Sequence, residues 1–269
     1  KELMVEMAAL GPSFMTVTYG AGGGTRESTR ELTHFVATSL QIPAVAHLTC
    51  VSHSRDDIER ILNELEEAGV HHVLALRGDP PKGEKRFVPH PQGFQCARDL
   101  TEFIARRGGF SIAVAGYPEG HPEASYFGDE MRYLKEKIDS GAEVVLTQLF
   151  FEPELFFRFR DRAHKQGIAV PLIPGIMPVS NAQQLRRFTS LCGASLPEKL
   201  TSSLDSLGDS AEKVRDFGVQ YAFQMVTELL RDGSPGIHFY TLNKSFQVAE
   251  ILSLLETELL LSRKSHLAS

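Results

Sequence analysis

Short apolar runs recur along the chain at intervals of roughly thirty residues, and each is followed by a polar or amphipathic stretch. Inside the runs the apolar positions are mostly continuous rather than alternating, which is typical of parallel strands buried on both faces. The runs predict seven strands, at residues 13–20, 43–50, 71–78, 110–118, 143–151, 171–178 and 236–243.

The stretches between these strands carry the signals of helices. Ser54 can cap a helix whose first turn is acidic, and Gly69 ends that helix. Pro153 suits the first turn of the helix after the fifth strand. A helix-like segment also opens the chain at 1–10, and the connection 179–235 has room for two or three helices.

Regular alternation of strands and helices indicates βαβ units around a parallel sheet. A (β/α)₈ barrel, or TIM barrel, closes with eight strands, one more than the runs supply. We therefore expect an α/β barrel that forms a single domain over 1–269, with a first strand that would precede Lys1. An open doubly wound sheet is the alternative, but no G-x-G-x-x-G fingerprint follows a strand before a helix.

Composition narrows the class of protein. The 28 Lys+Arg and 34 Asp+Glu residues give a net charge of −6, and 42% of the residues are hydrophobic. This balance excludes a disordered chain and argues against nucleic-acid binding. No apolar run is long enough for a membrane span. The three cysteines, Cys50, Cys96 and Cys192, give no disulfide framework and favour a reducing, cytoplasmic location.

Polar side chains gather where the predicted strands end. In a barrel the carboxyl ends of the strands carry the chemistry, so this ring can form the wall of a ligand pocket. Capping of strands and bonding of loop backbones is the alternative role for each residue. The ring consists of Thr18, Tyr19, His47, Thr49, Arg77, Asp79, Tyr117, Glu119, His121, Gln148, Asn243 and Lys244.

Two of these strand ends allow sharper hypotheses. In ALRGDPP (75–81), Asp79 can form a salt bridge with Arg77, or it can be a pocket carboxylate that acts on charge developing in a substrate. In GYPEGHPEA (116–124), Glu119 and His121 are metal-ligand types, but their spacing does not give the i, i+4 pair of a metalloprotease helix. We therefore predict no metal site.

Seven segments match, in order, the motifs of one enzyme family. They are VTYGA (17–21), AHLTC (46–50), ALRGDPP (75–81), AGYPEGHPEA (115–124), TQLFF (147–151), IPGIMPVSN (173–181) and HFYTLNK (238–244). Together they resemble methylenetetrahydrofolate reductase, a flavoprotein family whose catalytic domain is an eight-stranded α/β barrel. The resemblance covers essentially the whole chain, and it implies the same barrel as the strand count.

The resemblance implies FAD, bound noncovalently at the strand ends. Arg77 and Lys137 make chemical sense as partners of the cofactor's pyrophosphate, because that group is anionic. The implied flavin contacts are Thr18, Tyr19, Ala21, His47, Arg77, Gly78, Asp79, Ala97, Tyr117, His121, Ala124 and Lys137.

The resemblance also implies methylenetetrahydrofolate as substrate and NADH or NADPH as hydride donor, with hydride passing through FAD in two half-reactions. Asp79 would favour the cationic iminium formed when the folate ring opens. Gln148 would hydrogen-bond the pterin. Phe188 would stack on substrate, although a core Phe explains it equally well. The implied folate contacts are Asp79, Gln148, Gln184, Phe188 and Lys244.

In this family the general acid is a Glu on the first strand, in a motif close to FEFFPP. These 269 residues hold no such motif, so we expect the acid, like the first strand, before Lys1. The resemblance is to the shorter, bacterial-type enzymes. These lack a regulatory domain, are usually homo-oligomers, and serve one-carbon metabolism and methionine supply.

Two other functions are compatible with the pattern. Lys244 at a strand end could form a Schiff base in a barrel lyase. A barrel without its general acid could instead bind flavin or folate without catalysis.

Overall fold

Parallel strands alternate with helices along the chain. The computed structural model describes residues 1–18, 26–80, 87–122, 129–208 and 210–267. In these ranges the strands are β1 (Met15–Val17), β2 (Ala44–Thr49), β3 (His72–Leu76), β4 (Ser111–Gly116), β5 (Val144–Leu149), β6 (Leu172–Ile176) and β7 (His238–Phe239). The helices are α1 (Glu2–Ala8), α2 (Arg26–His34), α3 (Arg55–Glu67), α4 (Ala97–Arg107), α5 (Asp129–Asp139), α6 (Pro153–Lys165), α7 (Ala182–Cys192), α8 (Glu198–Leu207), α9 (Ala211–Arg231) and α10 (Phe246–Leu267).

The predicted α/β barrel class is confirmed. Each of the seven predicted strands contains an observed strand, and helices alternate with these strands along the chain. The connection 179–235 holds three helices, α7 to α9, and the predicted opening helix is α1. α2 continues into a π-helical turn (Phe35–Ser39) that the sequence pattern does not predict.

The first of two compact units comprises Lys1–Gly116, Met131–Val145 and Ile168–Pro171. Its strands β1 to β4 pair in parallel, with Val17 beside Ala46 and Leu74 beside Ala113. The apolar runs fill its core, as expected for strands covered on both faces.

The predicted cap of α3 is confirmed in the first unit. The Ser54 hydroxyl accepts a hydrogen bond from the backbone N–H of Asp57 at 3.1 Å, and the Asp57 carboxylate accepts one from the backbone N–H of Ser54. This capping box satisfies two N–H groups that the first turn of a helix leaves without partners. The Ser54 hydroxyl also donates to the Asp57 carboxylate at 2.7 Å, and this bond, the Ser54 N–H and the adjacent Arg60 lower the pKa of Asp57.

The second unit comprises Tyr117–Glu130, Leu146–Gly167 and Leu172–Ser269. Its strands β6 and β7 pair in parallel, with Gly175 beside His238. α9 approaches the backbone after β6 very closely, because a Cβ at Gly218 would lie 1.8 Å from the carbonyl oxygen of Val179. Glycine is therefore the residue that lets this helix dock. None of the helices in the described residues is both long and apolar enough to cross a bilayer.

Candidate functional site

In the first unit, the parallel register brings several predicted site residues to one edge of the sheet. β2 and β3 pair with His47 beside Leu74 and Thr49 beside Leu76, so residues 77–79 continue past the end of β2. Thr18 directly follows β1, and its carbonyl accepts a hydrogen bond from the Thr29 hydroxyl at 3.2 Å. Thr18, His47, Thr49 and residues 77–79, which the sequence predicts at strand ends, thus lie towards the carboxyl ends of β1, β2 and β3.

Gly78 makes the turn after β3. Its φ is +88°, and a Cβ there would lie 2.8 Å from Val51 Cγ1 and 3.1 Å from Thr49 Cβ. Both the backbone angle and the crowding require glycine. The neighbouring Thr49 hydroxyl is buried and makes no hydrogen bond within the described residues, so a polar group is available at this strand end.

Cys50, directly after β2, makes hydrogen bonds to the residues that lead into this turn. Its backbone N–H lies 3.1 Å from the carbonyl oxygens of Leu76 and Arg77, and its thiol donates to the Leu76 carbonyl at 3.4 Å. The side chain is fully buried, and burial raises the pKa of the thiol to about 12. Cys50 is therefore a core residue.

The two predicted pyrophosphate partners bond to backbone carbonyls near strand ends. Arg77 Nε donates to the carbonyl of Gly78 at 3.3 Å, and its guanidinium lies 5.0 Å from the centre of the Phe87 ring. Lys137 Nζ donates to the carbonyl of Ala115 on β4 at 2.5 Å. Both cations are half-buried, whereas Asp79 is exposed.

Three predicted flavin contacts, Tyr19, Ala21 and Ala124, lie outside the described residues. Ala97 is the first residue of α4, which Cys96 precedes in an extended conformation. The placement of Ala97 at a helix start leaves its backbone N–H outside the helical hydrogen-bond ladder.

In the second unit, the segment 117–122 carries two predicted flavin contacts on one turn. The Tyr117 and His121 rings meet edge to face, with centroids 4.8 Å apart. The N–H of Gly120 donates to the carbonyl of Tyr117 at 3.1 Å and closes the turn between them. Glu119 bonds elsewhere: both carboxylate oxygens lie 3.1 Å from the backbone N of Ser195.

Gln148 and Thr147 differ in role although they are adjacent on β5. Gln148 is half-buried, and its Oε1 accepts a hydrogen bond from the backbone N–H of its own neighbour Leu149 at 3.0 Å. The Thr147 side chain is fully buried and accepts a hydrogen bond from the N–H of Gly175 at 2.9 Å. Thr147, and not Gln148, is the residue that ties β5 to β6.

α7 presents the other predicted folate contacts. Asn181 caps the helix by accepting a hydrogen bond from the backbone N–H of Gln184 at 2.7 Å. Phe188 is partly buried and packs against the apolar cluster that includes Leu149 and Val179. Phe188 therefore packs against the core without being fully covered.

Lys244 lies on the turn after β7 and is exposed. Its ammonium donates to the Ser180 hydroxyl at 3.2 Å, which links the turn to the segment between β6 and α7. The Gln247 side chain holds the same segment by donating to the carbonyl of Val179 at 2.8 Å. The sequence analysis did not single out Ser180; its position directly after the apolar run of β6 was the available signal.

A cavity of about 620 Å³ lies elsewhere in the second unit. It is lined by residues of α6, α9 and α10, among them Phe157, Phe223 and Glu258, and by none of the predicted site residues. Within the described ranges, no three His, Cys, Asp or Glu side chains come together in a way that could hold a metal ion.

Comparison with known proteins finds similarity along nearly the whole chain. The family model described as methylenetetrahydrofolate reductase matches residues 1–256. The chain is 39% identical over 240 residues to 5,10-methylenetetrahydrofolate reductase of Pectobacterium carotovorum, covering 89% of this chain and 78% of that protein. It is 38% identical over 239 residues to the protein of that name from Escherichia coli, covering 89% and 79%.

A plant relative is longer. The chain is 37% identical over 262 residues to methylenetetrahydrofolate reductase (NADH) 1 of Zea mays, covering 93% of this chain but only 44% of the maize protein. The chain thus spans less than half the length of that relative.

A solved structure from Clostridium thermocellum, a protein that binds two copies of 5-methyl-5,6,7,8-tetrahydrofolic acid, has a similar fold. The TM-score is 0.56 at 15% identity, and the match covers 93% of this chain and 98% of that one. Because the family model matches nearly the whole sequence, the chain belongs to the methylenetetrahydrofolate reductase family.

Proposed function

We propose that this chain reduces 5,10-methylenetetrahydrofolate to 5-methyltetrahydrofolate in one-carbon metabolism, with NADH or NADPH as hydride donor and FAD as cofactor. The observation that carries this proposal is the family match over residues 1–256. The relatives of similar length that it matches bear the name of this reductase. The polar side chains at successive strand ends supply the chemistry that such a site needs.

The residues of the first unit fit an FAD molecule. Arg77 and Lys137 are half-buried cations that suit an anionic pyrophosphate. The Thr49 hydroxyl is buried without a hydrogen bond in the described residues, and it can pair with a polar group of a ligand at this edge. We propose that these residues, with Thr18 and His47, hold the cofactor.

FAD supplies the hydride chemistry when it is bound, and the protein supplies orientation and charge. The Asp79 carboxylate favours the cation that develops when the imidazolidine ring of the substrate opens. Asp79 directly follows Gly78, so the fixed turn after β3 limits where its carboxylate can lie.

Gln148 recognises the pterin edge. Its amide offers both a donor and an acceptor, and within the described residues only its acceptor is seen bonded, to Leu149 N–H. Lys244 is the cation proposed to meet the glutamate tail, which is anionic, and its exposed position suits a flexible tail. Phe188 contributes a partly buried aromatic face from α7.

The exposed position of Lys244 argues against the Schiff-base alternative. A lysine that forms a Schiff base is normally desolvated in an apolar pocket or placed next to another cation. Lys244 is solvent-exposed and donates to a neutral hydroxyl at 3.2 Å. The folate reductase is therefore the better supported function.

Anaerobic stopped-flow spectroscopy tests the proposal. The purified protein should carry a flavin spectrum, which NADH or NADPH bleaches and methylenetetrahydrofolate restores with formation of 5-methyltetrahydrofolate. If the nicotinamide bleached the flavin but methylenetetrahydrofolate did not restore its spectrum, the protein would be a flavoprotein with another electron acceptor. A colourless protein that cannot be reconstituted with FAD would reject the cofactor.

We further propose that the chain acts as one barrel domain in a cytoplasmic homo-oligomer. Light scattering coupled to size-exclusion chromatography measures the oligomeric state. The ratio of kcat/KM for NADH and NADPH identifies the physiological donor.

A further inference from the structure

The turn after α7 is held against the segment 117–122 at two points. Gly193 ends α7 in the left-handed region, with a φ of +76°, and a Cβ there would lie 2.7 Å from Pro122 Cγ. Two residues later, the backbone N–H of Ser195 donates to the Glu119 carboxylate, with both oxygens at 3.1 Å. A hydrogen bond to a charged acceptor is stronger than a neutral one.

The two segments leave almost no space between them. The residual cavity is about 10 Å³, and its lining includes Glu119, Gln148, Cys192 and Ala194. That volume holds about one water molecule. We call the contacts of Gly193 and Ser195 with Pro122 and Glu119 the joint. The joint lies directly beside Gln148, the proposed pterin contact.

The joint fixes one end of the helix that carries two other proposed folate contacts. α7 is capped at its start by Asn181, and it bears Gln184 and Phe188 along its length. Its final residue is Cys192, and the link to Glu119 follows within three residues. The Glu119 carboxylate is therefore placed to fix the end of α7 relative to Gln148.

We propose that Glu119 is a positioning residue that holds α7 in register with Gln148 and so sets the affinity for folate. The part that concerns folate rests on the proposed function. The segment that carries Glu119 also carries Tyr117 and His121, two of the predicted flavin contacts. In this role the Glu119 carboxylate acts through the Ser195 N–H and not on the reacting atoms.

Cys192 provides a readout that does not depend on activity. Its thiol is half-buried in the joint, where burial and, to a lesser extent, the charge of Glu119 raise its pKa. N-ethylmaleimide labelling followed by peptide mass mapping measures how often the joint opens. Glu119→Ala removes the acceptor, so we expect labelling of Cys192 to be faster by roughly 10–100-fold.

Three further variants separate charge from tethering. Glu119→Gln loses the charge but keeps an acceptor oxygen, so its labelling rate should lie close to the wild-type value. Gly193→Ala disturbs the joint without touching the charge and should accelerate labelling. Glu256→Ala, an exposed change on α10, should have no effect. If Cys192 were labelled equally fast in Glu119→Ala and Glu119→Gln, and faster than in the wild type, only the charge of Glu119 would matter. That result would overturn the proposal.

Kinetics tests the consequence for substrate. In Glu119→Ala the KM for methylenetetrahydrofolate should rise about tenfold with kcat and the nicotinamide half-reaction nearly unchanged, and Glu119→Gln should restore it. A raised KM with unchanged Cys192 labelling would mean that Glu119 contacts substrate directly, which overturns the positioning role. A wild-type protein without folate turnover would reject the proposed function, whereas the labelling result would still decide whether the joint exists.

Discussion

Two groups of polar side chains in the second unit lie close in sequence but behave differently. The buried group joins β5, β6 and β7: the Thr147 hydroxyl accepts from Gly175 N–H, and the Thr147 carbonyl accepts from the Tyr240 hydroxyl at 2.9 Å. The strand-end group, represented by Gln148 and Lys244, is half-buried or exposed. Gln148 bonds the backbone of its own neighbour, and Lys244 bonds a loop hydroxyl.

The difference separates scaffold from site. The Thr147 hydroxyl and carbonyl both have fixed partners outside β5, so the loss of either bond leaves a buried polar group unpaired. A strand-end group can exchange its present bond for one to water or ligand at little cost. Polarity on a strand therefore indicates function only where the side chain is free to change partners.

Asp79→Asn is expected to give the largest effect, on function alone. The exposed carboxylate can be neutralised without harm to the fold, but the charge that favours a cationic transition state is lost. Such contacts are worth about 2.7–4 kcal/mol, or roughly 10²–10³ in rate. Stopped-flow measurement should show this slowing in the folate half-reaction only, and Asp56→Asn, an exposed control, should be normal. Equal slowing of both half-reactions would assign Asp79 to holding the flavin or the fold.

His238 should give the next largest effect, on stability alone. It is buried with its ring 4.9 Å from that of Tyr240, and burial lowers its pKa from 6.5 to about 4. The unfolded chain takes up a proton near pH 6.5, whereas the folded chain does so only near pH 4. The contribution is thus full above pH 6.5 and is lost as the pH falls towards about 4, by roughly 3 kcal/mol.

Urea unfolding across that pH range measures this loss. His238→Gln has no titrating ring and should show a shallower fall in the free energy of unfolding than the wild type. Parallel curves for the two proteins would mean that His238 takes up its proton at the same pH in the folded and unfolded chains.

Thr147→Val should lower stability by a smaller amount than protonation of His238 does. Valine keeps the shape but removes the acceptor for the buried N–H of Gly175, which should cost about 1–3 kcal/mol of unfolding free energy. Folate KM, measured per bound flavin, should stay the same. Thr257→Val on the exposed face of α10 is the matched control and should melt like the wild type. A rise in KM with normal melting would move Thr147 into the site.

Gln148→Ala should have the smallest effect. In contrast to Thr147→Val, it should change folate turnover and leave stability unchanged. The loss of a neutral hydrogen bond to the pterin should cost about 0.5–1.5 kcal/mol of transition-state stabilisation, with melting temperature and flavin content unchanged. Folate turnover, melting and flavin absorbance are measured on one preparation, beside the exposed control Gln220→Ala. Early melting with flavin loss would make Gln148 a scaffold residue and remove the contrast with Thr147.

The strands could be predicted from the sequence because continuous apolar runs bounded by turn residues leave few other solutions. All seven predicted runs contain strands, but β7 is only two residues long although its run covers 236–243. The reason is a turn: Leu242 and Asn243 have φ values of 48° and 59°, which end extended structure. Asn accepts this backbone region readily but Leu does not, so the apolar pattern up to Leu242 did not predict the bend.

The site was less predictable, because its links join distant residues. Thr147 and Gln148 are both polar in one apolar run, and the period of two puts them on opposite faces without saying which face is buried. The bond from Ser195 to Glu119 spans 76 residues and leaves no periodic signal. The resemblance points to Gln148 as a site residue, and only the three-dimensional contacts assign Thr147 to the scaffold.

The docking of α9 through Gly218 has a consequence for sequence variation. Backbone meets backbone there, since a Cβ would lie 1.8 Å from the Val179 carbonyl oxygen, and no rotamer can relieve that overlap. Even alanine would have to push the helix off the chain segment that leads into α7. In a saturation library selected for growth, this codon should tolerate almost no change, while exposed positions on the same helix vary freely.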